Sequence, residues 1–233
     1  MLFKKLFGVN LFSNQKSFSS LYDQYAILGF EKQLAFAESV EGLDWNINLD
    51  TGRIHFGEKL VFPVQVIGSF SFVEKIWLWA WANNTAKIPN KLLSEVKEIR
   101  AYGKKHKIDE LIRVSASLSI NDIHTFGLVI IGMMESHGYY IGNFGDGAVL
   151  VTVKNENNER HNLESVHTLI LSTFPQFISK FKIKAQKKVL KHYLLAKKYR
   201  ILEETDTHLI GSREGKEIVG IFDEKGRLLQ LKG

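Results

Sequence analysis

Three tryptophans at alternate positions constrain this chain more than any other feature. Trp77, Trp79 and Trp81 lie within residues 76–83 and are three of the four tryptophans in the sequence. In a β-strand, side chains two residues apart point to the same face. The run therefore predicts a strand with three indoles on one face and aliphatic or small side chains on the other. A strand that is apolar on both faces is covered on both, so we expect it inside the fold.

A predicted hairpin over residues 43–56 precedes this strand. Its first half alternates apolar and polar residues, as a half-buried strand does. If residues 51–52 form a two-residue loop, Asp50 and Arg53 are directly paired across the hairpin, which brings a negative and a positive charge together. A third strand follows near residues 62–66, and the tryptophan strand then closes a four-stranded antiparallel meander.

The rest of the pattern predicts helices and a second β region. Helices are expected over residues 20–40, 90–103, 121–136 (with Asn121 as N-cap) and 163–199, the last broken at Pro175. Four short strands over residues 200–232 complete an α+β protein, in which a mainly antiparallel sheet packs against several helices and is followed by a C-terminal β-meander. The predicted organisation is a flexible arm over residues 1–17, a core domain over residues 18–199 and the meander over residues 200–233, which could belong to the same domain.

Composition excludes several kinds of site. The chain has no cysteine, which removes disulfides, thiolate nucleophiles and thiolate metal ligands. The longest apolar run, residues 126–134, is too short to span a bilayer. The N-terminal residues lack the cleavage site of a secretory signal. We therefore expect a soluble cytoplasmic protein without a transmembrane segment.

Two groups of residues offer a ligand pocket. The indoles could hold a flat, sugar-like or cationic ligand, with Asn83 at the exit of the strand. However, a wall of the hydrophobic core is the commoner use of such a face, because pockets are few per protein. The polar face of the hairpin offers an acid–base pair, although such faces are usually solvated. The candidate pocket residues are Trp77, Trp79, Trp81, Asn83, Asp44 and His55. No nucleophile accompanies them, so no catalytic residue is assigned and a binding protein is favoured over an enzyme.

Phosphate, metal and cofactor sites have little support. The glycine-rich residues 142–147 lead into an apolar strand and not into the helix N-terminus of a phosphate-binding loop. They therefore predict a hairpin turn. The eight histidines form no i, i+4 pair, so no zinc site is expected. No cofactor is predicted either.

Positive charge is concentrated in one segment. Residues 180–200 contain nine basic residues and no acidic one, whereas the remaining chain has 22 basic and 25 acidic residues. On a helix, these lysines could meet an acidic protein partner or the phosphates of a nucleic acid. Such runs commonly face solvent, and no motif that reads a nucleic-acid groove supports the second alternative. The candidate partner-binding residues are Lys180, Lys184, Lys187, Lys188, Lys191 and Lys198.

The hairpin and the tryptophan strand together resemble a bacterial family of uncharacterised proteins. The signature of that family is an Asp-Trp hairpin followed by a Trp-Leu-Trp-Ala-Trp-Ala-Asn strand. Here it corresponds to Asp44-Trp45 and residues 77–83, and the resemblance covers residues 20–145. It implies an intracellular bacterial protein that contains a domain of unknown function, with no catalytic residue to carry over.

Three functions follow from these observations. The first is a non-enzymatic adaptor or immunity-type protein that docks an acidic partner through the basic helix. The second is a small-ligand binder or hydrolase that uses a cavity beside the tryptophan strand. A cavity reached by Trp79 and by an acid or a histidine would favour this second function, and a filled core at the indoles would dismiss it. The third is nucleic-acid binding by the basic helix.

Overall fold

The computed structural model describes residues 17–154 and 163–233. Within them the fold is α+β, with five α-helices and eleven strands, and every strand pair is antiparallel. The predicted fold class, including the C-terminal meander, is confirmed. The predicted flexible arm, residues 1–17, lies outside the described residues apart from Ser17, so it stays a prediction.

The described residues form two compact units. One holds residues 28–154, and the other holds residues 17–27 together with residues 163–233. The two helices within residues 163–196 thus group with the C-terminal strands, while the domain boundary proposed at residues 199–200 stays a prediction.

The unit of residues 28–154 contains the large sheet. Its elements are the second half of α1 (Phe18–Val40), β1 (Trp45–Asn48), β2 (Arg53–Phe56), β3 (Leu60–Ser71), β4 (Ile76–Trp79), α2 (Ser94–His106), β5 (Ser115–Ser117), α3 (Ile120–Met133), β6 (Gly138–Phe144) and β7 (Gly147–Val153). The strands follow the order β1–β2–β3–β4–β5, with β7 also paired to β3 and β6 paired to β7.

The long strand β3 organises this sheet. It pairs with β2, β4 and β7, so the expected four-stranded antiparallel meander, β1–β2–β3–β4, is present but forms only part of a larger sheet that also includes β5, β6 and β7. Its register with β7 shifts between Val66 and Gly68, which marks a β-bulge. A Cβ atom on Gly68 would lie 2.3 Å from the ring of Trp77. Glycine at this position therefore lets the indole lie directly on β3.

The first hairpin has a longer loop than predicted. Trp45 pairs with Phe56 and Asn48 pairs with Arg53, which leaves four loop residues in place of two. A hydrogen bond within the loop explains the greater length, because the Asn48 side-chain oxygen accepts from the Thr51 backbone N–H at 3.0 Å. Gly52 closes the loop with a φ of +71°. The register moves by two residues, so each side chain keeps its predicted face.

Several predicted helix boundaries are wrong by a few residues. The N-cap of α3 is Ser119 and not Asn121, because Ser119 and Asp122 form a capping box. α1 begins at Phe18, since Ser17 accepts the hydrogen bond from the Ser20 backbone N–H. α2 starts at Ser94, because residues 90–92 form a separate 3₁₀ turn.

The unit with the C-terminal strands forms its own sheet. Its elements are the first residues of α1, α4 (Leu163–Lys180), α5 (Gln186–Ala196), β8 (Arg200–Glu204), β9 (His208–Arg213), β10 (Lys216–Phe222) and β11 (Leu228–Lys232). The strands pair in the order β11–β10–β9–β8, and none of their described residues pairs with the large sheet.

The predicted break at Pro175 does not occur. α4 continues through the proline to Lys180. Phe174 and Phe177 are both fully buried, and we attribute the uninterrupted helix to this packing, which offsets the lost backbone hydrogen bond. None of the described helices is long and apolar enough to cross a membrane.

Candidate functional site

A groove of about 660 Å³ lies on one face of the large sheet. We call it the apolar groove. Its lining residues are Trp45, Ile47, Leu49, Val66, Gly68, Ser69, Leu78, Ala80, Asn83, Thr85, Ala86, Ile88, Phe144 and Val149. The volume falls within the range of about 300–1,000 Å³ that is usual for small-molecule sites.

Strand pairing explains the floor of the apolar groove. Ser69 of β3 lies opposite Leu78 of β4 on one side and opposite Val149 of β7 on the other. Directly paired residues place their side chains on the same face, so these three side chains form one surface. Trp77 and Trp79 alternate with Leu78 along β4 and therefore point to the opposite face.

The opposite face is a filled core. Trp77 and Trp79 are 0% and 1% exposed. The ring of Trp79 stacks on Phe126 of α3 with centroids 5.5 Å apart, and Trp77 meets the same ring edge-on at 5.9 Å. Each buried indole removes about 150–250 Å² from water, so this cluster contributes strongly to stability. The structure thus places these two candidate pocket residues in the core.

The third indole leaves the predicted strand. β4 ends at Trp79, and residues Ala80–Ala82 form a 3₁₀ turn. β5 pairs with β4 only as far as Leu78, so the backbone beyond Trp79 lacks this strand partner. Trp81 is half-buried, with the Arg100 guanidinium 3.7 Å from the ring centroid. Among the described residues, the buried indole N–H groups of Trp77 and Trp81 have no hydrogen-bond partner.

The first hairpin supplies a wall of the apolar groove. Trp45, Ile47 and Leu49 are half-buried and line it, while the alternating residues of β1 are exposed. The Trp45 ring lies 5.4 Å from the ring of Tyr140. A Cβ atom on Gly142 would lie 2.8 Å from Trp45, so glycine leaves room for this ring. The hairpin predicted for residues 142–147 is confirmed by the pairing of β6 with β7.

The loop after β4 supplies another wall. The Asn83 side-chain oxygen accepts a hydrogen bond from the Ala86 backbone N–H at 3.1 Å. Its side-chain nitrogen donates towards the Ser69 hydroxyl at 3.5 Å, a long contact. Asn83, Thr85, Ala86 and Ile88 all line the groove. Asn83 is therefore a bridge between the loop and the floor.

Only one of the six predicted pocket residues, Asn83, lines the groove. Asp44 and His55 are exposed and are not among its lining residues. Sequence reasoning missed Trp45 as a lining residue. The alternation of apolar and polar residues along β1 could have identified Trp45, because it puts this residue on the apolar face of the hairpin.

The groove itself carries no charge. None of the described residues that line it is an acid, a histidine, a lysine or an arginine. A titratable pair lies elsewhere, where His124 Nδ1 is 3.0 Å from the Tyr139 hydroxyl. Burial lowers the pKa of His124 and raises the pKa of Tyr139. Because these two residues do not line the groove, the groove offers no general acid or base of its own.

A buried carboxylate lies in α2. Glu95 is 3% exposed and accepts hydrogen bonds from the Ser136 hydroxyl at 2.7 Å and the Thr152 hydroxyl at 2.5 Å. Lys154 Nζ lies 3.3 Å from the same carboxylate, and 44% of the lysine side chain is exposed. We call these four residues the Glu95 cluster. The cluster joins α2 to β7, and none of its members lines the apolar groove.

The basic segment is not one continuous helix. α4 ends at Lys180 and α5 begins at Gln186, with a linker between them. Some of the predicted partner-binding lysines contact their own chain. Lys187 donates to the backbone oxygen of Asp206, Lys188 pairs with Asp23 at 3.2 Å, and Lys191 pairs with Glu204. Lys180, Lys184 and Lys198 are exposed. Within the described residues, no group of acidic residues and histidines could hold a metal ion.

Comparison with known protein families identifies the region of residues 19–156. The model of a family of unknown function, DUF6882, matches residues 19–156. This range includes the region of the expected resemblance, residues 20–145, and every residue that lines the apolar groove. No curated protein and no solved structure matches the chain. Because the match covers more than half of the 233 residues, the chain belongs to this family of unknown function, DUF6882.

Proposed function

We propose that the chain is a binding protein that holds a small, largely apolar molecule in the apolar groove. The observation that carries this proposal is the lining, in which eleven of the fourteen described residues are apolar or glycine and the remaining three are the uncharged Ser69, Asn83 and Thr85. Binding sites for small molecules typically combine such a surface with a few polar groups that fix orientation.

Catalysis at this groove has less support than binding. A hydrolase that activates water by general-base catalysis needs a base within hydrogen-bond reach of the proton that it removes. No described residue that lines the groove can take that role, and His55 and Asp44 are not among them. The expected form of that function, a cavity reached by Trp79 and by an acid or a histidine, has no support, because Trp79 is buried in the core and no described lining residue of the groove is an acid or a histidine. We therefore keep only the small-ligand binding and assign it to the apolar groove. The resemblance noted in the sequence supports a bacterial, cytoplasmic setting.

Trp45 provides a direct test of the proposal, because it is the only tryptophan that lines the groove. A brominated long-chain alcohol that enters the groove should quench Trp45 fluorescence, and the quenching should saturate. Most of this quenching should be lost in Trp45→Phe and retained in Trp81→Phe, which removes an indole outside the groove. Quenching that does not saturate, or that is equal in the two variants, would contradict the proposal.

A second candidate function is docking of an acidic protein through the basic segment. Its support is the charge segregation and the exposure of Lys184 and Lys198. Reversing both charges to glutamate should abolish capture of partners that the wild type retains, whereas reversing Lys87 and Lys232, two exposed lysines elsewhere, should not. Identical capture by both variants would rule this function out. Retention on DNA that weakens steeply with salt would instead favour the nucleic-acid alternative.

A further inference from the structure

We infer that the apolar groove selects an uncharged amphiphile whose hydrogen-bond acceptor meets the side chains of Asn83 and Ser69. This inference rests on the proposed binding function and adds the chemical class of the ligand. An amphiphile of this class has an apolar chain and one neutral polar group, such as an ester, ether, ketone or alcohol.

The orientation of Asn83 follows from its contact with the loop. The Ala86 backbone N–H is a donor, so the atom of Asn83 that it meets at 3.1 Å must be the oxygen. The amide nitrogen is thereby directed towards Ser69 on the floor of the groove. It carries two N–H donors, and one long contact to Ser69 leaves donor capacity for a ligand.

Ser69 adds a second donor at the same place. Its oxygen is the acceptor in the contact with Asn83, so its own O–H can point to a ligand. Asn83 and Ser69 therefore present donors together at one point of a surface that is otherwise apolar. Such a pair recognises an acceptor.

Because the described lining residues include no charged side chain, we expect the groove to prefer a ligand with a neutral head group to one with an ionised head group. A carboxylate or an ammonium group bound among the described lining residues would have no countercharge. Burying an unpaired charge costs far more free energy than burying a neutral group that keeps its hydrogen bond. We therefore expect the groove to reject a fatty acid anion and a long-chain ammonium ion while it accepts the corresponding neutral ester.

Asn83→Asp tests this selection with little change of shape. The aspartate keeps an oxygen for the Ala86 backbone N–H but replaces both N–H donors by an oxygen, and it adds a negative charge. The matched control is Asn84→Asp, which adds the same charge at the next residue, an exposed position that does not line the groove.

The probes are a brominated long-chain methyl ester, the carboxylate and the primary amine of the same chain, and binding is measured at neutral pH by quenching of Trp45. The wild type should bind the ester at least about tenfold more tightly than either charged probe, a difference of 1.4 kcal/mol. Asn83→Asp should weaken ester binding by about tenfold, and Asn84→Asp should not change it.

Two results would overturn the inference. One is a wild-type protein that binds the carboxylate as tightly as the ester, and the other is equal ester binding by Asn83→Asp and Asn84→Asp. If all probes bind alike, the proposed binding function stands and the selectivity is wrong. If no probe quenches Trp45, the proposed function itself fails.

Discussion

Replacing Glu95 with alanine is expected to lower the free energy of unfolding by about 2–6 kcal/mol. The carboxylate accepts hydrogen bonds from Ser136 and Thr152, and both residues are 0% exposed. Each buried hydroxyl that loses its partner costs about 1–3 kcal/mol. The Lys154 ammonium adds less, because its half-exposed side chain can regain water. The loss therefore comes mainly from the two hydroxyls and from the cavity left at Glu95.

Urea denaturation followed by tryptophan fluorescence measures this effect. All four tryptophans lie in the unit of residues 28–154, so their emission reports that unit. The matched control is Glu98→Ala, an exposed glutamate of the same helix, which should change the free energy by no more than about 0.5 kcal/mol. If Glu95→Ala is as mild as its control, the Glu95 cluster does not stabilise the fold as described.

Ala86→Phe is expected to weaken binding of a brominated long-chain alcohol by at least about tenfold, or 1.4 kcal/mol. Ala86 is exposed on the loop after β4 and lines the apolar groove. A phenyl ring at this position would occupy volume that the ligand needs. The stability of the protein should change little, because the substitution adds no atoms to the core.

The control for this prediction is Ala101→Phe. Ala101 is exposed on α2 and does not line the groove. Ala101→Phe therefore introduces the same phenyl ring at a position outside the groove. Binding by this variant should match the wild type. An Ala86→Phe variant that binds as tightly as Ala101→Phe would show that the ligand occupies a different site.

Local pattern was enough to predict the core part of the tryptophan run. Alternation correctly placed Trp77 and Trp79 on one face of a strand, where the core covers them. It failed at Trp81, because the sequence continues to alternate after the strand has ended. Where a strand ends depends on its partners, and β5 pairs with β4 only as far as Leu78. Pairing between strands that are distant in sequence cannot be predicted from the local residue pattern.

The apolar groove could not be predicted from local pattern for a related reason. Its residues come from five strands and a loop that are separated in sequence, and only the pairing of β3 with both β4 and β7 brings Ser69, Leu78 and Val149 together. The basic segment gives a similar lesson. Its charge correctly indicated exposure, but the pairing of Lys188 with Asp23 joins residues 165 positions apart and could not be read from composition.

The most direct test of the central claim is the nuclear Overhauser effect between a bound long-chain alcohol and the methyl groups of the protein. If the apolar groove holds the ligand, the alkyl protons should show contacts to the methyl groups of Ile47, Leu78 and Val149, which line the groove from three different strands. Contacts to methyl groups outside the groove, with none to these three residues, would contradict it.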